Sequence, residues 1–241
     1  MNPEAIILAG GLGTRLRSVV ADRPKVLASV GGRPFILRLL DQLAGAAVPL
    51  AVISTGHMAD QVETVVGPVH GAMPVRFSRE TSPMGTGGAI RLALDATASN
   101  PLLVMNGDSF CAFDLGQFLA FHRAKHSRAS ILLALVPDTS RFGQVQLAPD
   151  SSVVRFEEKG KGGSPGWINA GIYLLNRELF TAIPRERAIS IEREIFPSLI
   201  GSGLHGLQAG GAFLDIGTPA SYAEAEDFFR KPLFHSGPEA L

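Results

Sequence analysis

A chain of 241 residues with 22 basic and 22 acidic side chains has no formal net charge, and none of its Lys/Arg clusters makes the footprint of a nucleic-acid partner. Hydrophobic residues make up 46% and charged residues 18%, enough for one substantial core, yet no apolar run reaches the ~20 residues of a membrane span and no secretory signal precedes the first apolar segment. Cys111 is the single cysteine, which excludes an intrachain disulfide and a Cys-based zinc site, and the expected setting is cytoplasmic.

In chain order, Ala5-Ile-Ile-Leu-Ala9 is an apolar run of strand length that enters Gly10-Gly11-Leu12-Gly13-Thr14-Arg15-Leu16, with Pro24-Lys25 beyond a polar stretch. Residues 34–47 carry Phe35, Leu37, Leu39, Leu40 and Leu43 at near-helical spacing, and Pro34 suits a first helical turn. A strand over 49–53, a helix over 58–66 stopped by Gly67-Pro68, and a strand over 75–77 come next. A helix over 88–98, a strand over 101–105, a helix over 115–125 and a strand over 130–136 complete this part. Apolar strands alternating with helices specify an α/β fold with a doubly wound, mostly parallel sheet.

After Pro137 the texture changes. Strands over 142–147, 153–157 and 167–175, with a Gly/Ser/Pro-rich segment over 160–166, predict a small β-rich subdomain laid against the first half. A helix over 191–200, a strand over 212–214 and a capped helix from Thr218-Pro219 to Phe229 follow. The expected organisation is a single domain over 1–230, divided near residue 136, then a mobile tail over 231–241. No internal repeat and no second domain are expected.

The opening loop carries the first chemical signal. A buried parallel strand ending in a glycine-rich turn points successive backbone N–H groups at one spot, and glycine lets a phosphate approach the backbone. Arg15 and Lys25 add positive charge there, which makes a cradle for a triphosphate. Two phosphate motifs are excluded by spacing. Leu16 stands where the dinucleotide fingerprint needs its third glycine, and Lys25 is too far from the glycines for a Walker A loop. Asn106-Gly107-Asp108 directly follows the strand over 101–105, and ligands of open parallel sheets bind beyond the carboxyl ends of the strands. Asp108 is therefore either a hard oxygen ligand for a magnesium ion, Mg2+, facing the triphosphate, or a turn residue. Asp215 ends a strand just before the last helix, and its alternatives are the same metal or the following turn.

The string Leu8-Ala-Gly10-Gly11-x-Gly13-Thr14-Arg15-Leu16 with Pro24-Lys25 resembles the signature of the sugar-1-phosphate nucleotidylyltransferases, and further matches recur in order to about Phe229. The resemblance implies a Rossmann-like nucleotidyltransferase fold, with a nucleotide half over about 1–136 and a sugar-binding half over about 137–230. It implies GTP and a sugar 1-phosphate as substrates and Mg2+ on Asp108 and Asp215. Leu8, Gly10, Gly11, Gly13, Thr14, Arg15, Lys25, Glu80, Gly85 and Thr86 would bind the nucleotide. Glu80, five residues before Gly85 in Glu80-Thr-Ser-Pro-Met-Gly85-Thr86-Gly87-Gly88, would face the base edge. An ionised carboxylate only accepts hydrogen bonds, which suits the adjacent N1–H and N2–H2 donors of guanine.

By the same resemblance, Lys159 in Glu157-Glu158-Lys159 would hold the sugar phosphate and Glu158 would accept from sugar hydroxyls. Asn169, in Asn169-Ala-Gly171, would meet a ring hydroxyl, and the Gly143 backbone would lie against the sugar. Arg15, Lys25, Asp108 and Lys159 would be the catalytic groups. Within the family, these strings are most similar to D-glycero-α-D-manno-heptose 1-phosphate guanylyltransferases, whose products serve capsule, surface-layer or lipopolysaccharide sugars. Mannose-1-phosphate guanylyltransferase and N-acetylmuramate-1-phosphate uridylyltransferase are the alternatives, with a non-catalytic nucleotide-sugar-binding subunit as the reading from another class. Val26 departs from the family pattern, which has Pro or Ala after the lysine. Glu192 and Glu194 fall on nearly opposite faces of a helix and read as surface charge, and Cys111 reads as a packing residue. The composition is compatible with a homodimer without requiring one.

Overall fold

The strand Ala5–Leu8 can lie at the centre of the molecule because every residue in it is apolar. Its Ala5 and Ile7 enter the hydrophobic layer on one face of the sheet and its Ile6 the layer on the other, as the alternation of a strand requires. The chain is known from a computed structural model that describes residues 2–11, 13–16, 18–156 and 163–231. Glu158, Lys159 and the expected tail from 232 onward lie outside the described residues.

Across the eight-stranded sheet the order is Leu204–Ala209, Ala129–Val136, Gly166–Leu175, Leu102–Asn106, Ala5–Leu8, Ala51–Thr55, Met73–Arg79 and Val69–His70. The central strand pairs in parallel with Ala51–Thr55 and Leu102–Asn106. Only Gly166–Leu175 and the short edge strand Val69–His70 run against the rest. The helices Phe35–Gly45 and Leu115–Ala124 cover one face through Phe35, Leu39, Leu43, Leu115 and Phe118. Gly85–Ala93 and Phe196–Leu199 cover the other through Ile90, Ala93, Phe196 and Leu199. This is the doubly wound, mostly parallel sheet that the periodicity predicts.

Several elements differ from their expected bounds for local reasons. The strand Gly166–Leu175 joins the main sheet between Ala129–Val136 and Leu102–Asn106, so that of the three strands expected in the β-rich layer two, Val145–Leu147 and Val153–Phe156, pair apart from it. The strand expected from 142 starts at Val145, because the N–H groups of Phe142 and Gly143 both turn back to the Thr139 carbonyl. The helix expected from 88 begins at Gly85, whose φ of +67° ends the preceding loop. The helix expected over 191–200 is instead a π-type turn, Ile191–Ile195, followed by Phe196–Leu199.

One short ladder positions the site. Ser109–Cys111 pairs antiparallel with Phe213–Asp215, with Asp215 opposite Ser109, and the Ile216 N–H donates to the Asp108 carbonyl at 3.0 Å. The end of the chain is thereby stitched to the end of a central strand.

Candidate active site

Four parallel strands end around one cavity of about 420 Å3. Leu8 comes from the end of Ala5–Leu8, Asn106 from the end of Leu102–Asn106, and Glu80 directly follows Met73–Arg79. The end of Ala51–Thr55 is bonded to this rim, the Ser54 carbonyl accepting from the Ala9 N–H and the Thr55 carbonyl from the Glu80 N–H. Gly10, Gly11, Gly13, Thr14, Arg15, Lys25, Gly85, Thr86 and Asp108 also line the cavity. Each of these residues is therefore brought to one place, as the glycine loop and strand-end position predict. Gly13 takes φ +59°, a conformation that strains residues bearing a Cβ, and the turn Thr14–Leu16 follows it. Pro24 has φ −56° and leads into the turn Lys25–Leu27, which carries the lysine inward.

Lys25 Nζ donates to Asp108 Oδ2 at 2.7 Å, with the lysine side chain only 10% exposed. Asp215 lies beside this pair. Its carboxyl pKa is raised, first by burial and then by the Asp108 charge. Its Oδ1 accepts from the Gly217 N–H at 3.0 Å and from Arg141 Nη2 at 3.3 Å. Gly217 lines the cavity, and Asp215, two residues before it and 20% exposed, is not among the described residues that do.

Glu80 is held by its own loop. Its Oε2 accepts from the Met84 N–H at 3.0 Å, and its Oε1 takes a longer contact at 3.5 Å from Ser54 Oγ. Burial raises its pKa. Asn169 and Gly143 are not among the described residues that line the cavity. Asn169 Nδ2 donates to the Tyr173 hydroxyl at 3.0 Å and its Oδ1 accepts from the Gly171 N–H at 2.9 Å, across the irregularity in the Gly166–Leu175 strand. Gly143, with φ +76°, turns the chain two residues after Arg141. Val26 is buried, lines the cavity and packs toward Gly107.

Sequence reasoning missed several residues. Asn106 lines the cavity at the end of the Leu102–Asn106 strand, near the buried Tyr173 whose hydroxyl accepts from Asn169. The strand-end position of Asn106 was the available signal. Arg141 reaches Asp215 and Ser221 from a turn with no periodic pattern. Reading Glu192 as surface charge is overturned. It is half-buried, and its Oε2 accepts from Thr86 Oγ1 at 2.8 Å. Its element is a π-type turn, whose phase a regular helical wheel does not reproduce. Glu194 is exposed as expected, and Cys111 is buried with its thiol pushed up to about 12 by burial, which leaves no reactive thiolate.

The fold and this site define a class: the chain belongs to the nucleotidyl transferase family, whose model matches residues 4–231. More particularly, it is 34% identical over 226 residues to the D-glycero-alpha-D-manno-heptose 1-phosphate guanylyltransferase of Aneurinibacillus thermoaerophilus, covering 92% of this chain and 96% of that one. It is 33% identical over 231 residues to the mannose-1-phosphate guanylyltransferase of Mycobacterium tuberculosis, covering 94% of this chain but 63% of that enzyme's length. Among solved structures, HddC from Yersinia pseudotuberculosis matches with a TM-score of 0.84 at 33% identity, over 95% of this chain and all of that one. The same holds for HddC complexed with GMP-PN. Among the described residues, no helix is long and apolar enough to cross a membrane.

Proposed function

We propose that this protein transfers GMP from GTP to a sugar 1-phosphate, with D-glycero-α-D-manno-heptose 1-phosphate as the favoured acceptor, giving GDP-sugar and pyrophosphate. The observation that carries the reading is the cavity that gathers Arg15, Lys25, Glu80 and Asp108, in a fold that matches HddC complexed with GMP-PN over nearly its whole length. The heptose acceptor is favoured over mannose because the strings at 13–20, 85–90 and 106–110 are most similar to those of the heptose 1-phosphate guanylyltransferases.

The chemistry follows from the charges. The anomeric phosphate oxygen attacks the α-phosphorus of GTP in line, the new P–O bond forms, and the bond to pyrophosphate breaks. The nucleophile is already an anion, so no general base is needed and catalysis is positioning with charge neutralisation. The N–H groups of the glycine loop and Thr14 cradle the phosphates. Arg15 and Lys25 take up the charge of the leaving pyrophosphate, and Lys159 orients the sugar phosphate while Glu158, Asn169 and Gly143 hold the ring. Glu80 presents its carboxylate to the guanine N1–H and N2–H2.

Asp108 and Asp215 fit a hard divalent cation. Two carboxylates whose mutual repulsion raises one pKa are relieved by such a charge, and the open cavity leaves room for phosphate oxygens and waters. Among the described residues no third acidic, His or Cys side chain joins them, which suits Mg2+, an ion that keeps most of its ligands as water and substrate. These two residues would hold it, and when bound it supplies positive charge beside the reacting phosphoryl oxygens.

The test is pyrophosphate release from each of GTP, ATP, UTP and dTTP with heptose 1-phosphate, mannose 1-phosphate and N-acetylmuramate 1-phosphate, with and without Mg2+. Turnover confined to GTP with heptose 1-phosphate is expected. Release with UTP alone, or no release with any pair, would refute the assignment.

A further inference from the structure

Residues 187–192 grip the start of the helix Gly85–Ala93 from outside the nucleotide half. The Ile189 carbonyl accepts from the Gly87 and Gly88 N–H groups at 2.8 and 3.3 Å, and the Ile189 N–H donates to the Met84 carbonyl at 2.9 Å. These bonds satisfy donors that a helix N-terminus leaves open. The side chains add a second grip. Glu192 Oε2 accepts from both Thr86 Oγ1 and Ser190 Oγ at 2.8 Å, while Thr86 Oγ1 accepts from the Ile191 N–H at 2.9 Å. The Thr86 hydroxyl thus has its donor and one lone pair engaged by one turn, although Thr86 lines the cavity.

That turn is itself rigidly seated. Ile191, Ile195 and Phe196 are buried in the core, and the Phe196 ring lies 5.2 Å from that of Tyr173. Ser190 caps the turn by accepting from the Arg193 N–H at 3.2 Å, and Glu194 accepts from the Ser190 N–H at 3.0 Å. A carboxylate held on such an anchor is a charged acceptor whose bonds are stronger than those between neutral groups.

The geometry points to Glu192 as a positioning residue for nucleotide binding: its carboxylate fixes the Thr86 hydroxyl and with it the end of the loop from Glu80 to Thr86 that lines the cavity. The inference rests on the nucleotidyl-transfer reading and extends it to a residue in the half of the chain expected to hold the sugar. Glu192 reaches the nucleotide only through Thr86, so its loss weakens GTP binding more than it slows the chemical step.

The test measures GTP affinity by calorimetry without acceptor, then steady-state KM and kcat, in Glu192→Ala, Glu192→Gln, Thr86→Val, the Glu192→Ala/Thr86→Val double variant, and Glu194→Ala. Glu192→Ala should weaken GTP binding about tenfold, the scale of one hydrogen bond to a charged group, with kcat lowered less than about threefold and the KM for the sugar 1-phosphate unmoved. Glu192→Gln, which keeps an acceptor oxygen, should recover most of the loss. The double variant should bind GTP no worse than the poorer single variant, because both remove the same link. Glu194→Ala, which loses the bond to the Ser190 N–H and the ion pair with Arg187 but leaves Thr86 its partners, should lower Tm without moving GTP affinity. Wild-type GTP affinity in Glu192→Ala, full additivity in the double variant, or a loss confined to the KM for the sugar 1-phosphate would overturn the inference. A wild-type protein that binds no nucleoside triphosphate would overturn it together with the reading beneath it.

Discussion

Lys25 Nζ and Asp108 Oδ2 meet at 2.7 Å across 83 positions of sequence, and the lysine side chain is nearly enclosed. The pair joins a cation expected to face the leaving pyrophosphate to a carboxylate expected to face a metal. Either charge without the other is left beside groups arranged for both. Asp108→Asn is expected to lower kcat by ~10²-fold or more, the scale seen when one charge-stabilising group is lost. Lys25→Met is expected to do the same. Steady-state pyrophosphate release checks both, and near-normal turnover in either variant would remove that residue from the mechanism.

Asp215 gives a pH-dependent prediction. Burial and the Asp108 charge raise its pKa in the folded protein. The folded state then binds its proton more tightly than the unfolded chain, so stability falls as pH rises from the ordinary aspartate range through the raised value. Metal-free Asp215→Asn escapes this loss. Its Tm should equal that of wild type at acid pH and exceed it at neutral pH by roughly 2–4 °C if about 1 kcal/mol is recovered. Added Mg2+ should raise the wild-type Tm and leave that of the variant unmoved. Scanning calorimetry across pH measures this, and a variant less stable than wild type at neutral pH would contradict it.

Glu80→Gln replaces an acceptor pair with one donor and one acceptor, while its carbonyl oxygen still holds the Met84 N–H. Preference for GTP over ATP and UTP, measured as the ratio of kcat/KM values, should fall by about 10–100-fold through the loss of one charged hydrogen bond to the base. An unchanged ratio would place the base elsewhere.

Gly85→Ala is expected to destabilise the fold by about 1–3 kcal/mol and to weaken GTP binding. The residue has φ +67°, and an added Cβ would lie 2.7 Å from the Ile189 carbonyl oxygen, which is backbone that cannot swing aside. Thermal melting with and without GTP reads both effects. A neutral substitution would show that the clamp by Ile189 is not tight.

Legibility was uneven. The central strands were readable because a strand buried on both faces is apolar throughout, as in Ala5–Leu8 and Leu102–Asn106. The cradle was readable because its residues are neighbours in sequence. The strand Gly166–Leu175 was found but placed in a side layer, since an apolar strand does not state which partner it pairs with. Asn169 was expected to meet a ring hydroxyl, and the irregularity beside it bonds its amide to Tyr173 and Gly171 while leaving one N–H and one lone pair over.

The sequence by itself determined the elements, the glycine loop with its two basic residues, and the strand-end aspartates, because these follow from local periodicity and from chemistry at fixed spacing. Only the tertiary structure decided that Asp215 lies beside Asp108, through a ladder joining Ser109–Cys111 to Phe213–Asp215. It alone decided that Glu192 grips Thr86 across 106 positions. Such pairs arise when distant segments bury their apolar faces against one sheet, and nothing in the local pattern of either segment records which partner it will meet.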